Sequence, residues 1–143
     1  MLQPGLKDGR LTPGGRAVFE AVARGVLDGS LPQAEALRRA ALTAQLQRLD
    51  ETVSAFPRHM QSELSQLLGL LSTAPGRVGL AGLRTDWPDA TPGEIQDALQ
   101  SMRLSSLALR QQAYHALRDL TNAAYFADAS AWADIGYPGP KAV

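Results

Sequence analysis

The chain has 143 residues, 45% of them apolar and 20% charged, a composition typical of one globular domain. Fourteen basic residues balance fourteen acidic ones, so the surplus of positive charge that nucleic-acid binding requires is missing. There is no cysteine, which excludes disulfides, thiolate catalysis and thiolate metal ligands.

The first predicted helix starts at Thr12-Pro13, after an extended lead over residues 1–11. Threonine can cap the first turn. Proline suits the first helical position because the N–H that it lacks would have no partner within the helix there. Asp28-Gly29 ends the helix, since glycine readily adopts a left-handed cap. The predicted apolar face consists of Val18, Phe19, Val22, Val26 and Leu27.

Three further helices are predicted before residue 84. The second covers residues 32–55, and the third covers residues 58–72 after a break at Pro57. A second break at Ala74-Pro75-Gly76 precedes a short fourth helix over residues 78–83. The predicted apolar faces are Leu42, Leu46, Leu49, Val53 and Phe56 in the second helix and Met60, Leu64, Leu67, Leu68 and Leu71 in the third.

The longest predicted element runs from residue 91 to about residue 125, and we expect the fold to be organised around it. Thr91 is the predicted N-cap and Pro92 is the first helical residue. Glu94 supplies the carboxylate of a capping box. Neither glycine nor proline follows for about thirty residues, which allows a continuous helix of about 50 Å. The predicted buried stripe is Ile95, Leu99, Met102, Ser106, Leu109, Ala113, Leu117, Leu120 and Ala124.

The elements together predict an all-α domain of four to five helices. In no segment do apolar and polar residues alternate for long enough to indicate a strand. The run Gly136-Tyr137-Pro138-Gly139-Pro140 excludes a helix or a central strand, so we expect an extended tail. The single domain therefore divides into a lead (residues 1–11), a helical body (12–127) and a docking tail (128–143).

Residues that could carry chemistry are sparse. His59 and His115 lie in different predicted helices without a Glu-x-x-His motif, and no nucleophile–histidine–acid set stands out. Pro13-Gly14-Gly15 does not follow a predicted strand, so it is only a weak indication of a phosphate-binding loop. We expect no catalytic, metal or cofactor site in this chain. Without a run of about 18 apolar residues, we also expect no insertion into a membrane.

Aromatic residues concentrate at the C-terminal end, where five of the eight lie between Tyr114 and Tyr137. The tail either folds back over its own bundle or docks on another protein, since stiff proline-rich segments and Trp, Tyr and Arg are common in interfaces. Arg103 and Arg110, one heptad apart, could add polar contacts. The predicted partner-binding residues are Arg103, Arg110, Tyr114, Tyr125, Phe126, Trp132, Tyr137, Pro138, Gly139 and Pro140.

Residues 107–140 resemble a family of small bacterial dehydrogenase subunits. The resemblance rests on the run Ser-Leu-Ala-Leu-Arg-Gln-Gln-Ala-Tyr-His-Ala-Leu-Arg-Asp-Leu-Thr, on Ala-Tyr-Phe, on Trp132 and on the ending Ile-Gly-Tyr-Pro-Gly-Pro. The opening Leu-Thr-Pro-Gly-Gly-Arg-Ala-Val is also similar. The family comprises the small (gamma) subunits of gluconate 2-dehydrogenase and of membrane-linked glucose or sorbitol dehydrogenases, with short twin-arginine-signal proteins encoded beside glucose-methanol-choline (GMC) type oxidoreductases.

The resemblance implies a subunit that carries no cofactor itself. Such subunits bind an FAD-containing large subunit, help it mature and carry it through the twin-arginine translocon on their own signal peptide. Residues 1–10 contain no apolar signal core, so the resemblance implies the periplasm only if a signal has been removed, and the cytoplasm otherwise. Whether a cytochrome c subunit joins the pair is left open.

Two other functions stay open from the residues alone. A stand-alone helical bundle could bind a small apolar ligand in a leucine-lined cavity, or could bind another protein partner. An enzyme would need a polar cluster inside the bundle, and the sequence does not indicate one.

Overall fold

Helix α1 (Pro13–Val26) is the central element of the computed structural model, which describes residues 4–127. Thr12 caps it by accepting a hydrogen bond from the Gly15 N–H at 3.3 Å, as its sequence predicted. Val18, Phe19 and Val22 are fully buried, and α1 contacts four other helices. The expectation that the residue 91–125 segment organises the fold was therefore wrong, because the shorter α1 passes through the middle of the core.

A small hairpin precedes α1 where the sequence predicted only an extended lead. Strands β1 (Leu6–Lys7) and β2 (Arg10–Leu11) pair antiparallel, with Leu6 opposite Leu11. The turn residues Asp8 and Gly9 have φ values of +55° and +76°, the left-handed pair that a tight Asp-Gly hairpin turn requires. Leu6 and Leu11 are both buried, so the hairpin covers one end of the core.

The next two helices follow the predicted pattern closely. Helix α2 (Glu35–Ser54) starts three residues later than predicted, and helix α3 (Arg58–Ser72) has the predicted bounds. On the predicted apolar face of α2, the three leucines and Val53 are buried, as predicted. Phe56 lies beyond the end of α2 and is half-buried. Helix α2 packs on α6 and α1, and α3 packs on α1.

The short fourth helix begins earlier than predicted. Helix α4 (Ala74–Gly76) leads directly into a π-helical turn (Arg77–Ala81), which Gly82 ends with φ +67°. Thr73 accepts the Gly76 N–H at 3.0 Å, so a threonine cap with a proline in the first turn starts a helix here as well.

A 3₁₀ turn (Trp87–Asp89) then directs the chain into the last two helices. The buried Trp87 donates its indole N–H to the Leu71 carbonyl at 2.8 Å. Arg24 of α1 donates to the carbonyls of Trp87 and Ala90, both at 2.7 Å. These contacts anchor the loop to α1 and α3 before α5 begins.

The predicted helix over residues 91–125 is two helices, α5 (Pro92–Arg103) and α6 (Ala108–Phe126). Ser105 stabilises the break, because its N–H donates to the Met102 carbonyl and its hydroxyl accepts from the Leu107 N–H at 3.1 Å. Splitting the segment lets α5 pack on α1 while α6 packs on both α1 and α2. A straight helix of about 50 Å could not do this within a small domain.

The break changes the predicted apolar stripe at its middle. Ser106 and Leu109 are exposed and Leu120 is half-buried, whereas the remaining six members are buried. The all-α prediction is nevertheless confirmed, since residues 4–127 form six α-helices and one hairpin whose two strands have two residues each. No helix within this part of the chain is long and apolar enough to cross a membrane.

The predicted capping box at the start of α5 is confirmed. The Glu94 N–H donates to the Thr91 hydroxyl at 3.1 Å, and the Thr91 N–H donates to the Glu94 carboxylate at 3.0 Å. Thr85 adds a third contact by donating its hydroxyl to Glu94 at 2.6 Å. The Thr85 hydrogen bond, followed by that from the Thr91 backbone, lowers the pKa of Glu94 below its ordinary value of 4.5.

We therefore expect part of the stability to depend on pH through Glu94. A carboxyl whose pKa is lowered on folding stabilises the fold fully above its unfolded pKa, and this contribution is lost as pH falls through the folded value. Glu94→Gln should flatten the fall in unfolding free energy below about pH 4.5, measured by urea titration at several pH values. An equal change in Glu51→Gln, an exposed carboxyl on α2, would contradict this assignment.

Candidate protein-binding surface

An open apolar groove of about 700 Å³ lies between α3 and α6. We call it the α3–α6 groove. Its apolar walls are Met60, Leu64, Leu67 and Leu70 from α3 and Leu109, Ala116 and Leu120 from α6, with Phe56 also lining it. Met60 is 41% exposed and Leu109 is 48% exposed, so the groove is accessible to another molecule.

The groove exists because α3 has more apolar surface than the core uses. At 3.6 residues per turn, its Met and Leu residues cover about 160° of the helix circumference, against about 100° for one packing face. Leu64, Leu68 and Leu71 point into the core and are buried. Met60, Leu67 and Leu70 lie on the remaining arc and line the groove.

Helix α6 also has two apolar edges. Ala113, Leu117 and Ala124 are fully buried against the rest of the fold. Leu109 and Leu120, eleven residues apart, line the groove along about 16 Å of helix. Leu104 and Leu107 in the α5–α6 connection are also exposed, which adds apolar surface in the chain segment just before Leu109.

The polar rim of the groove is acidic. Glu63 from α3 and Asp119 from α6 are the two carboxylates among its lining residues, alongside two glutamines and His115. Asp119 also lies 3.4 Å from the guanidinium of Arg118, which is its sequence neighbour. None of the lining residues in the described part of the chain is a lysine or an arginine.

The two predicted arginines lie on different helices. Arg103 is exposed in the last turn of α5 and donates to the side chain of Gln100 at 3.1 Å. Arg110 of α6 donates to the Leu80 carbonyl and to the Ser101 hydroxyl, both at 2.9 Å. The expectation that both lie on one continuous helix was wrong, because the break between α5 and α6 separates them. The Arg110 guanidinium instead ties α6 to its neighbours.

The predicted aromatic residues of α6 do not form one surface. Tyr114 is half-buried and packs against the main core, with its ring 5.2 Å from that of His115. Tyr125 is buried in a second apolar cluster with Leu27, Leu31 and Leu42. Phe126, 5.4 Å from the Tyr125 ring, is the exposed member. The interface roles of all three stay predictions, as do those of Arg103 and Arg110.

Buried hydroxyl groups near the end of α6 allow a stability test. The Tyr125 hydroxyl and the Thr121 hydroxyl have no hydrogen-bond partner among residues 4–127. Tyr125→Phe should leave the unfolding free energy unchanged or raise it by up to about 1 kcal/mol, because a buried unpaired hydroxyl is destabilising. Urea unfolding tests this, with Tyr114→Phe as the half-buried control. A loss above about 1 kcal/mol would show that the Tyr125 hydroxyl does have a partner.

Five of the predicted partner-binding residues lie outside the described residues. They are Trp132, Tyr137, Pro138, Gly139 and Pro140. The two alternatives for the tail, folding back or docking on a partner, therefore stay as the sequence left them.

Several residues that line the α3–α6 groove were predicted from the sequence to lie in the core. Met60, Leu67 and Leu109 all belonged to predicted buried stripes, but none of them is fully buried. The available signal was the width of the α3 stripe, which exceeds one packing face. Only the packing order of the helices shows which of its residues stay uncovered.

Side chains that could bind metal do not cluster among residues 4–127. No cluster of three or more histidine, aspartate or glutamate side chains occurs within this part of the chain. His59 and His115 are both exposed, and they lie on different helices.

Comparison of the chain with protein-family models, with curated proteins and with solved structures gave no match.

Proposed function

We propose that this chain is a non-catalytic small subunit that binds an FAD-dependent, GMC-type oxidoreductase. The observation that carries the proposal is the α3–α6 groove, an accessible apolar surface that no other described element covers. Helix α6 supplies one wall of it, and the whole of α6 lies within residues 107–140, the segment with the family resemblance. The large subunit would hold the FAD.

Binding energy alone would let such a subunit help its partner mature. A protein that binds only the folded, flavin-loaded form stabilises that form by mass action, by about 2.7 kcal/mol at 100 times the Kd. The small subunit then needs a complementary surface and no reactive groups. In this proposal the complex is exported to the periplasm if the small subunit is made with a twin-arginine signal, and stays in the cytoplasm otherwise.

Co-expression with the oxidoreductase encoded beside this chain tests the proposal. We expect an affinity tag on the small subunit to retain a yellow complex that shows flavin absorbance, while the small subunit purified alone is colourless. A large subunit that folds and binds FAD but does not co-purify would contradict the proposal. A tagged small subunit expressed without the large subunit is the control for colour.

The tail gives a further prediction within this proposal. Deleting residues 136–143 should abolish co-purification while leaving the helical circular dichroism largely intact, because the tail is expected to contact the partner. Loss of the helical signal would instead support the alternative in which the tail seals its own bundle.

Binding of a small apolar ligand is the second candidate function. The groove volume of about 700 Å³ lies within the range of about 300–1,000 Å³ typical of ligand pockets. The groove is open to solvent, whereas ligand sites bury most of their ligand. Extraction of a stoichiometric apolar compound from the purified chain, with no co-purifying large subunit, would favour this function.

A further inference from the structure

The α3–α6 groove is long enough for about three turns of a helix. Its α6 wall runs from Leu109 to Leu120, about 16 Å or three helical turns. A helix that lies in a groove between two helices inserts its side chains between theirs and uses apolar anchors at i, i+3 or i+4, and i+7.

Other peptide conformations fit the groove less well. Strand addition needs an open sheet edge, but both walls are helices whose backbone hydrogen bonds are made internally. Polyproline segments bind aromatic-lined grooves, and among the described lining residues Phe56 is the one phenyl ring.

The rim charges then restrict the sequence of the bound helix. Glu63 lines the groove from α3 and Asp119 lines it from α6, and Arg118 lies 3.4 Å from Asp119. Charge complementarity therefore favours basic residues on the flanks of the bound helix. Residues 128–143 of this chain contain Asp128 and Asp134 but only Lys141 as a cation, so their charge has the same sign as the rim.

We propose that the α3–α6 groove binds a basic amphipathic helix of the large subunit, about three turns long, with apolar anchors facing Met60, Leu67 and Leu120. This inference rests on the proposed function and specifies the element of the partner that is recognised. Lysines or arginines on this helix lie beside Glu63 and Asp119.

Photocrosslinking in the purified complex tests the inference. The full chain carries the crosslinking residue p-benzoylphenylalanine at position 60, is co-expressed with the large subunit and irradiated, and the crosslinked peptides are identified by mass spectrometry. The expected product joins position 60 to a large-subunit segment with apolar residues at helical spacing and flanking lysines or arginines. The same residue introduced at Leu37, exposed on α2 and outside the groove, should give no such product.

Each other outcome overturns the inference in a distinguishable way. A crosslink to residues 128–143, to a second copy of this chain, or to an acidic segment would assign the groove to another occupant. A complex that forms without any crosslink to the large subunit would reject the helix site and leave the proposed function standing. Failure of the folded large subunit to co-purify would reject both.

Charge reversal tests the rim independently. The double variant Glu63→Lys with Asp119→Lys should bind the large subunit about ten-fold more weakly, because two exposed attractions become repulsions. Glu51→Lys on α2 makes the same kind of change away from the groove and should leave the affinity unchanged. Unchanged or tighter binding by the double variant would overturn the basic character of the helix.

Discussion

Leu109→Arg should weaken binding to the large subunit by at least about 100-fold, or about 2.7 kcal/mol. Leu109 lines the α3–α6 groove and is 48% exposed, so it is available to a partner before binding. In the complex, an arginine there would bury a charged group among apolar side chains. A basic helix in the groove would add repulsion to this cost.

The matched control for this variant is Leu37→Arg. Leu37 is 62% exposed on α2 and does not line the groove, so the same substitution there should leave the affinity unchanged. Both residues are exposed, so neither variant should change the unfolding free energy by more than about 0.5 kcal/mol. Equal losses of affinity in the two variants, measured by titration calorimetry, would contradict a role for the groove.

Gly25→Val should lower the unfolding free energy by about 3 kcal/mol, near the upper end of the usual cost of overpacking a core. A Cβ atom at Gly25 would lie 2.4 Å from Cγ2 and 2.7 Å from Cβ of Ile95, well inside contact distance. Ile95 is buried at the α1–α5 crossing, so it has no free space to move into. Thermal unfolding should show a fall in Tm of about 10 °C.

Gly93→Val on α5 is the matched control for the packing effect. Among residues 4–127, the atom nearest to a Cβ at Gly93 outside the helix backbone and its chain neighbours is the Thr91 hydroxyl oxygen, at 4.0 Å, and Gly93 is exposed. We therefore expect a change within about 0.5 kcal/mol. If Gly25→Val were as stable as this control, the close approach of α1 to α5 at Gly25 would be wrong.

Features set by local chemistry could be predicted from the sequence. Thr12-Pro13 and Thr91-Pro92 both start helices because a threonine hydroxyl and a following proline satisfy the first turn without help from other elements. The start of α3 also follows from a local signal, since Pro57 lies just before it. The predicted break at Ala-Pro-Gly instead forms helix α4, and α3 ends one residue before Thr73. At Gly25 of α1, in contrast, the missing Cβ permits the crossing of α1 and α5, which depends on a distant residue, Ile95.

Features that depend on packing between distant residues could not be predicted. The break at residues 104–107 contains no glycine or proline, and it is stabilised by Ser105 and by the separate packing of α5 and α6. The break also places Arg103 and Arg110 on different helices. The Asp8-Gly9 hairpin, in contrast, did have a local signal in its Asp-Gly turn.

The candidate site could be predicted only in part. The sequence indicates that α3 carries a wide apolar stripe, but it does not show that Leu64 and Leu68 pack in the core while Met60 stays exposed. That division depends on where α1 and α6 lie relative to α3. The partner-binding prediction for the tail comes from composition and resemblance, and it falls on residues outside those described.

The central claim is that this chain provides a binding surface to a folded flavoprotein. Sedimentation velocity of the purified, FAD-loaded large subunit, monitored by flavin absorbance, tests it most directly because the small subunit is expected to be colourless. Adding the small subunit should move the flavin boundary to a higher sedimentation coefficient and saturate at a fixed ratio, whereas the Leu109→Arg variant should leave it in place. A flavin boundary that does not move with excess wild-type chain would contradict the claim.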